Sequence, residues 1–306
     1  MFFNIIKRRY WYFALSLLVI VPGLVALSLW GLPLSIDFTG GTLLEIQFKT
    51  PTTAIEAAPI REIYAAQGFD DTTVQVSTDN VIIVRSKDLS QEQQAAILAA
   101  LQATFGEVTV LDISTVGPSV GQEVARQAAY AILAAAVGIL LYIWYAFRRV
   151  PHAIRYGVCA IIALSHDLLL VIGLAAIAGR FLGWQVDALF LTAILTVAGF
   201  SVHDTIVVFD RIRENLVVHR RLNYETVVNH SIVQTLDRSI NTQLTVMFTL
   251  LALALLGGDT IRHFVITLLV GIFSGTYSSI FNAAALLVVW ENQEWNFFAR
   301  KREATA

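Results

Sequence analysis

The stretch from residue 188 to residue 209 reads ALFLTAILTVAGFSVHDTIVVF, an apolar run that contains one carboxylic acid, Asp204. About twenty mostly apolar residues are enough for a helix to cross a bilayer. A carboxylate near the centre of such a helix costs about 2.5 to 3.5 kcal/mol on insertion scales. We therefore expect the chain to use this acid, by moving ions or protons or by pairing it with a buried cation.

The composition of the whole chain is that of a membrane protein. Of its 306 residues, 56% are hydrophobic and only 14% are charged, whereas soluble domains contain about 25% charged residues. The single cysteine, Cys159, has no partner in the sequence, so disulfides are not expected. The net charge of -2 gives no indication that the protein binds nucleic acid.

Six apolar segments are long enough to cross a membrane. They cover residues 10–30, 124–147, 154–178, 188–209, 240–256 and 264–290. The first follows Lys7-Arg8-Arg9, but its apolar core is longer than that of a signal peptide, so we interpret it as a retained anchor. The sequence therefore predicts an α-helical polytopic membrane protein with six transmembrane helices.

Basic residues lie on alternate connections between these segments and set the predicted orientation. The basic side carries Lys7, Arg8, Arg9, Arg148, Arg149, Arg155, Arg211, Arg213, Arg220, Arg221, Arg300, Lys301 and Arg302, whereas the short loops on the other side carry only Arg180 or Arg262. By the positive-inside rule both termini are cytoplasmic. Six tryptophans lie near predicted membrane edges, as expected for an aromatic belt: Trp11, Trp30, Trp144, Trp184, Trp290 and Trp295.

The long insertion between the first two spans has the pattern of a small α+β domain. We predict strands at 42–49, 73–77, 81–85 and 108–116, with helices at 52–67 and 90–105. Ser90 is the candidate N-cap of the second helix, with Gln93 completing a capping box, and Asp79-Asn80 is the candidate turn of a hairpin. Strand, helix, strand, strand, helix, strand is the ferredoxin-like order, and we expect this extracytoplasmic domain to contact another protein, the alternative being a spacer.

The predicted domain organisation follows from these segments. Residues 1–31 form a cytoplasmic segment with the first transmembrane helix, and residues 32–122 form the ferredoxin-like extracytoplasmic domain. Residues 123–292 form a five-helix transmembrane domain, and residues 293–306 form a cytoplasmic tail.

Arg238 is a candidate partner for Asp204. It begins the fifth span, and because the fourth and fifth spans run in opposite directions, the two residues are expected at similar depth. They are predicted to form an ion pair, or a pair that changes with protonation, unless the acid only fixes packing or the arginine snorkels. Thr242, Thr245 and Thr249 continue a polar stripe from Arg238, although each hydroxyl can also bond back to its own helix.

Two further polar sets lie within predicted spans. His166 and Asp167 form either a proton relay or a satisfied interhelical hydrogen bond. Gly271, Ser274, Gly275, Ser278, Ser279 and Asn282 in the sixth span are interpreted as small residues for close helix packing. Neither a metal-ligand cluster nor a nucleophile–base set is recognised in the sequence, so we predict neither an enzyme nor a cofactor.

The sequence Ser35-Ile36-Asp37-Phe38-Thr39-Gly40-Gly41-Thr42 follows the first span. From its residues alone it reads as a turn, in which Asp37 bonds a nearby backbone amide and the two glycines adopt conformations closed to other residues. Together with residues 199–215 and the span that begins Arg238-Ser239, it resembles the SecF branch of the SecD/SecF family, bacterial protein-export membrane proteins of the resistance-nodulation-division (RND) transporter superfamily. The resemblance covers nearly the whole chain.

This resemblance implies a subunit of the bacterial inner membrane that works with a SecD-like partner and the SecYEG channel. It implies that protons are the coupling ion for the export of a translocating preprotein. On matching positions, Asp204 is the proton-handling acid and Arg238 its partner, while Asp37, Phe38, Gly40 and Gly41 form the family motif at the extracytoplasmic membrane edge. One departure is His203, where the family commonly has Asn, and this titratable neighbour could change the pH response of Asp204.

Two other functions stay open at the level of sequence. One is a half-unit of an RND-type exporter of small molecules or lipids, which would normally need twelve spans and larger external domains. The other is a structural subunit of a membrane complex whose acid never titrates.

Overall fold

The computed structural model describes residues 4–49, 55–76, 80–148 and 152–294. Its helices are α1 (Arg9–Trp30), α2 (Ile36–Thr39), α3 (Ala57–Ala66), α4 (Gln91–Phe105), α5 (Pro118–Phe147), α6 (Ala153–Leu182), α7 (Ala188–Val218), α8 (Tyr224–Leu256), α9 (Asp259–Tyr277) and α10 (Ala284–Glu291). Its strands are β1 (Gly41–Phe48), β2 (Thr73–Val76), β3 (Val81–Ser86) and β4 (Val108–Val116). The chain divides into two compact units, 1–32 with 132–184 and 189–306, and 33–131 with 185–188.

Six helical segments in the described residues are long and apolar enough to cross a membrane, which confirms the predicted number. Several of these helices are longer than the apolar segments from which they were predicted. Helix α7 continues beyond residue 209 to Val218, and α8 begins at Tyr224 rather than at residue 240. Apolar length marks the part of a helix that can lie in lipid, whereas its ends are set by capping. Asn223 supplies the cap of α8, its Oδ1 accepting from the Thr226 amide at 2.8 Å.

Glycines allow close approach of helices in the membrane unit. A Cβ added to Gly23 on α1 would lie 2.8 Å from the Cα of Gly173 on α6, so these two helices touch backbone to backbone. Gly271 on α9 accommodates the side chain of Val197 on α7. The close packing predicted from small residues in the sixth span is therefore confirmed at Gly271.

The sixth span contains one irregular turn. Between α9 and α10, residues Ser278–Ala283 wind as a π-helix, with hydrogen bonds from i to i+5. Such turns are rare and occur frequently at functional sites. Ser278, Ser279 and Asn282 within it are all buried.

The smaller unit contains a four-stranded antiparallel sheet with the order β2-β3-β1-β4. Helices α3 and α4 follow β1 and β3 along the chain, which is the predicted order of elements. The capping box of α4 is confirmed, since Ser90 Oγ accepts from the Gln93 amide at 3.3 Å and Gln93 Oε1 accepts from the Ser90 amide at 2.9 Å. A buried cluster that includes Phe48, Tyr64 and Phe105 forms the core of this unit.

Some predictions fall on residues outside the described ranges. These are the start of the first predicted helix at 52–54, Ser77 and Asp79 at the hairpin, Arg149, Trp295, and the basic residues Arg300, Lys301 and Arg302. Asn80, the described half of the predicted turn, has a φ of 61°. Asparagine tolerates this left-handed conformation better than most residues.

A carboxylate just beyond the last helix ties it to the start of the first. Glu294 accepts from Arg9 Nη2 at 2.5 Å and from Arg9 Nε at 3.0 Å, and also from the Tyr10 hydroxyl at 2.6 Å. Partial burial alone would raise the pKa of Glu294, but hydrogen bonds from Arg9, Tyr10 and Asn292, together with the charge of Arg9, outweigh it and lower the pKa from 4.5 to about 2. The ionised form is therefore the one that the folded chain stabilises.

We expect the interaction between Glu294 and Arg9 to be lost in acid. The pKa of Glu294 is lower in the folded state than in the unfolded chain. Its ionised form therefore contributes fully to the stability of the fold above about pH 4.5, and this contribution disappears as the pH falls towards 2. Glu294→Gln should lower the free energy of unfolding at pH 7 by about 1 kcal/mol, because solvent screens this partly exposed ion pair. Thermal unfolding in detergent should show the difference between wild type and Glu294→Gln shrinking from pH 5 downwards. A difference independent of pH would contradict this assignment.

Candidate functional site

Asp204 lies near the middle of α7 and is 5% exposed. Gln243 on α8 donates a hydrogen bond from Nε2 to Asp204 Oδ2 at 2.5 Å. Gln243 is itself 3% exposed, and its Oε1 has no hydrogen-bond partner among the described residues. The acid is therefore held by a neutral amide from the neighbouring helix, with an unused acceptor beside it.

The expected ion pair between Asp204 and Arg238 is not formed in the described part of the chain, where Arg238 is exposed. Arg238 and Gln243 are five residues apart on α8, which places them about 140° apart around the helix. Asp204 is bonded to the fifth span through Gln243 rather than through Arg238, and a pairing with Arg238 that changes with protonation stays a prediction. Gln243 was missed, although an amide one position from the predicted stripe was a visible signal.

The threonine stripe faces away from Asp204. Thr242, Thr245 and Thr249 are all exposed. Thr245 Oγ1 donates to the Asn241 carbonyl at 2.9 Å and Thr249 Oγ1 donates to the Thr245 carbonyl at 3.1 Å, so for these two residues the own-helix alternative is confirmed. His203, next to Asp204 in sequence, is also exposed.

Asp167 on α6 is the centre of a buried hydrogen-bond cluster. Its side chain is fully buried, and it accepts from Ser201 and Ser278 at 2.6 Å each and from Ser274 at 2.7 Å. Its Oδ1 also lies 3.0 Å from Nδ1 of His166. A carboxylate has about four lone-pair sites, and all four are occupied here by groups from three transmembrane segments.

The interhelical hydrogen-bond alternative for Asp167 is therefore confirmed, while a relay role stays a prediction. His166 also stacks on the ring of Tyr277 at 6.3 Å between centroids, and its Nε2 has no partner among the described residues. From the sequence, Ser274 and Ser278 were predicted only to allow close packing, and their bonds to Asp167 were missed. Their spacing of four residues, which places both on one helix face, was the signal.

A second chain of polar contacts links α7 to the π-helical turn. Thr205, which follows Asp204, shares a 2.9 Å hydrogen bond with Ser279. Ser279 also contacts the Ser201 carbonyl at 3.3 Å. The π turn is thus bonded to the residue next to Asp204 and, through Ser278, to Asp167 itself.

The motif after the first span binds the start of α7. Asp37 Oδ2 accepts from the amide of Ala188, the first residue of α7, at 3.0 Å. The predicted bond to a nearby amide is therefore wrong, since Ala188 is 151 positions away. Ser35 instead closes the local turn, its Oγ accepting from the Asp37 amide at 3.2 Å.

The two glycines of the motif are required by conformation and by space. Gly40 and Gly41 have φ values of 74° and 125°, which L side chains rarely adopt. A Cβ on Gly40 would lie 2.8 Å from the Cα of Pro118, and one on Gly121 would lie 2.6 Å from the Gly40 amide nitrogen. Phe38, between Asp37 and these glycines, is half-buried.

Two family models match the chain over the elements just described. Residues 95–293 match the model of the protein export membrane protein SecD/SecF, C-terminal, and residues 31–52 match the SecD/SecF GG motif. The first range contains Asp204, Gln243 and Asp167, and the second contains Asp37 and both glycines. Within the described residues there is no group of three or more His, Cys, Asp or Glu side chains that could hold a metal ion.

Proteins named protein translocase subunit SecF are similar to the chain over nearly its whole length. The chain is 53% identical to that of Anaerolinea thermophila over 97% of both chains, and 47% identical to that of Thermobaculum terrenum over 99% of this chain and 98% of the relative. Protein translocase subunit SecDF of Thermus thermophilus is 39% identical over 86% of this chain, but the match spans only 35% of that protein.

Solved structures of SecDF have the same fold over the matched region. The crystal structure of SecDF, a translocon-associated membrane protein from Thermus thermophilus, superposes with a TM-score of 0.83 at 35% identity, covering 95% of this chain and 39% of that chain. SecDF in the super-membrane-facing form superposes with a TM-score of 0.69, covering 98% and 40%.

Proposed function

The chain belongs to the SecD/SecF family of protein-export membrane proteins, and from that membership we propose that it uses the proton motive force to promote the export of polypeptides through the SecYEG channel. The observation that carries the proposal is the buried carboxylate of Asp204 in mid-helix, with Gln243 as its donor. A buried intramembrane acid without a cationic partner is costly and marks proton or ion handling.

Protonation of Asp204 changes the contact that joins α7 to α8. The ionised carboxylate can only accept, and it accepts a hydrogen bond from Gln243 Nε2. A protonated carboxyl can also donate, and the Gln243 Oε1 is available as its acceptor. Each cycle of proton uptake and release therefore exchanges the roles of the two side chains and favours a different packing of the helices.

The membrane potential is large enough to drive such a change. One charge crossing 100 mV gains about 2.3 kcal/mol, comparable to the few kcal/mol that separate two conformations in a typical equilibrium. In the proposed cycle, Asp204 takes up a proton from outside and releases it to the cytoplasm, and the resulting helix movement drives the external domain while it holds an emerging preprotein.

The proposed partner is a SecD-like subunit. The SecDF relative of Thermus thermophilus joins the equivalent of this chain to additional sequence in one polypeptide. One face of α8 exposes the polar side chains of Arg238, Asn241 and Thr242. Because polar side chains are disfavoured against lipid, this face favours contact with another protein subunit. We place the pair in the bacterial inner membrane, with both termini of this chain cytoplasmic by the positive-inside rule.

We further propose that the smaller unit is a ferredoxin-like extracytoplasmic domain. The sheet order β2-β3-β1-β4 and the order of its elements support this assignment. Edge strand β4 exposes Leu111 and Ile113, so apolar surface is available for a protein partner or an extended preprotein.

Export into inner-membrane vesicles tests the function. Vesicles that contain this chain, its SecD-like partner and the SecYEG channel should export a preprotein further when a proton gradient is imposed, and a protonophore should remove the gain. Vesicles that lack only this chain should show no gain. Equal export with and without the gradient, in vesicles that retain the full complex, would contradict the proposal.

A further inference from the structure

Four polar residues form one buried row along α8. Gln243, Ser239, Thr235 and Ser231 follow one another at intervals of four residues, so each lies next to the following one on the helix surface. All four are buried, with exposed fractions between 0% and 6%. The row begins at Asp204, to which Gln243 is bonded, and extends about 18 Å towards the start of α8.

The far end of the row reaches a solvent-accessible group on the basic side of the protein. Ser231 Oγ accepts from Asn215 Nδ2 on α7 at 2.9 Å, and the same amide donates to Gln234 Oε1 at 2.8 Å. Asn215 is buried, whereas Gln234 is exposed. The row therefore connects the buried acid with the side of the membrane that we place in the cytoplasm.

Ser239 differs from its neighbours in the row. Thr235 Oγ1 donates to the Ser231 carbonyl at 3.1 Å, and Ser231 Oγ donates to the Val227 carbonyl at 2.8 Å, as buried hydroxyls in helices commonly do. Ser239 Oγ has no hydrogen-bond partner among the described residues, although only 3% of the residue is exposed. Because a buried polar group without a partner costs stability, this hydroxyl requires a ligand.

A second polar atom without a partner lies one helical turn away. Gln243 Oε1 is an unused acceptor beside Asp204, and Ser239 precedes Gln243 by four residues on the same row. A buried water molecule typically makes two to four hydrogen bonds to polar groups that have no other partner. The Ser239 hydroxyl and the Gln243 carbonyl oxygen supply two such groups, and the carboxyl of Asp204 supplies the third.

The row can pass a proton but cannot hold one. None of its four side chains is charged, and Asp237 and Arg238, between Thr235 and Ser239 in the sequence, are exposed. Each hydroxyl both donates and accepts hydrogen bonds. Neighbouring residues in such a row lie about 5 to 6 Å apart at Cβ, so single water molecules between them complete a hydrogen-bonded path.

We propose that a water molecule held by Ser239 and Gln243 takes the proton that Asp204 releases, and that the buried polar row conducts this proton to the cytoplasm. The O–H bond of the carboxyl breaks, an O–H bond to the water forms, and the hydrated proton then passes Thr235 and Ser231. This route rests on the proposed proton cycle of Asp204 and adds the path of release to it. Ser239 acts through the water and is therefore a positioning residue.

Infrared difference spectroscopy after a rapid rise of pH on the cytoplasmic side tests the route in proteoliposomes that contain the full complex. The carboxyl band of Asp204 is the one that Asp204→Asn lacks. This band should disappear about tenfold more slowly in Ser239→Ala than in the wild type, because the water loses one of its partners. The final extent of deprotonation should be unchanged, and gradient-dependent export should slow in parallel.

Two substitutions of Thr235 separate its hydroxyl from its packing. Thr235→Val keeps the shape without the hydroxyl and should slow proton release, whereas Thr235→Ser keeps the hydroxyl and should restore most of the rate. Thr267→Val is the matched control, because Thr267 is a buried threonine on α9 that also donates to its own helix, at 2.8 Å. Proton release in Thr267→Val should be as fast as in the wild type.

The outcomes distinguish the route from the proton cycle itself. Proton release at the wild-type rate in both Ser239→Ala and Thr235→Val would overturn the route and leave the cycle of Asp204 intact. Equal slowing by Thr267→Val would also overturn the route, since it would indicate a general effect on packing. A wild-type Asp204 band that does not respond to pH would contradict the proposed function, and the route with it.

Discussion

Asp204→Asn is expected to abolish gradient-dependent export while leaving the complex assembled. Asparagine has nearly the same shape, and its Oδ1 can still accept a hydrogen bond from Gln243 Nε2, so the contact between α7 and α8 is kept. It cannot bind and release a proton, so the exchange of donor and acceptor roles is lost. Vesicle export with an imposed gradient should fall to the level seen with a protonophore.

Asp210→Asn is the control for this experiment. Asp210 is on the same helix, but it lies near the end of α7 and pairs with Arg213 in an exposed position, so export should be nearly unchanged. Infrared difference spectra should show a carboxyl band that responds to pH in the wild type and is absent in Asp204→Asn. Unimpaired export by Asp204→Asn would leave only the scaffold alternative for this acid.

Asp167→Leu is expected to destabilise the membrane unit strongly. The substitution leaves the hydroxyls of Ser201, Ser274 and Ser278 without the acceptor that they share. The Ser278 hydroxyl has a second acceptor in the Gly275 carbonyl at 3.2 Å, so two donors lose their partner at about 1 to 3 kcal/mol each, and the total should exceed about 2 kcal/mol. The thermal unfolding midpoint in detergent should fall by several degrees or the chain should fail to accumulate.

Asp167→Asn separates the loss of acceptors from the increase in side-chain volume that leucine brings. Asparagine keeps one oxygen acceptor in place of two, so the thermal unfolding midpoint of Asp167→Asn should lie between those of the wild type and Asp167→Leu. Asp112→Leu is the surface control, because Asp112 is exposed on β4, and it should change the midpoint little. If Asp167→Leu unfolds at the wild-type temperature, the cluster does not hold the three segments together.

The sequence was sufficient to predict the elements of this fold that depend on local chemistry. Apolar length specifies how many helices cross the membrane, because a bilayer imposes one minimum length on all of them. The capping box at Ser90 and Gln93 closes within four residues, so its bonds can be read from spacing. Gly40 and Gly41 were correctly assigned to conformations that other residues rarely adopt.

The interactions that depend on helix rotation could not be predicted in the same way. The sequence predicts the depth of Asp204 and Arg238 in the membrane. The rotation of α8 is decided by its packing against all neighbouring helices, and the face of α8 that contacts α7 carries Gln243. The bond from Asp37 to Ala188 joins residues 151 positions apart, so no local pattern reports it. Ser274 and Ser278 fitted a pattern of small residues for close packing equally well, so their role as donors to Asp167 could not be recognised from the sequence.

The π-helical turn at Ser278–Ala283 allows the sixth span to lose one residue there without turning the helix beyond it. A turn closed from i to i+5 holds one residue more than an ordinary helical turn. A relative that has lost one residue here would wind as uninterrupted α-helix, and the missing residue would offset the tighter turn, so Ala284–Glu291 would keep about their present orientation relative to Ser274. Leu287 and Val288, fully buried here, would then stay in the interior, so the chain length at this point can change without a change in the sequence of the last two helical turns.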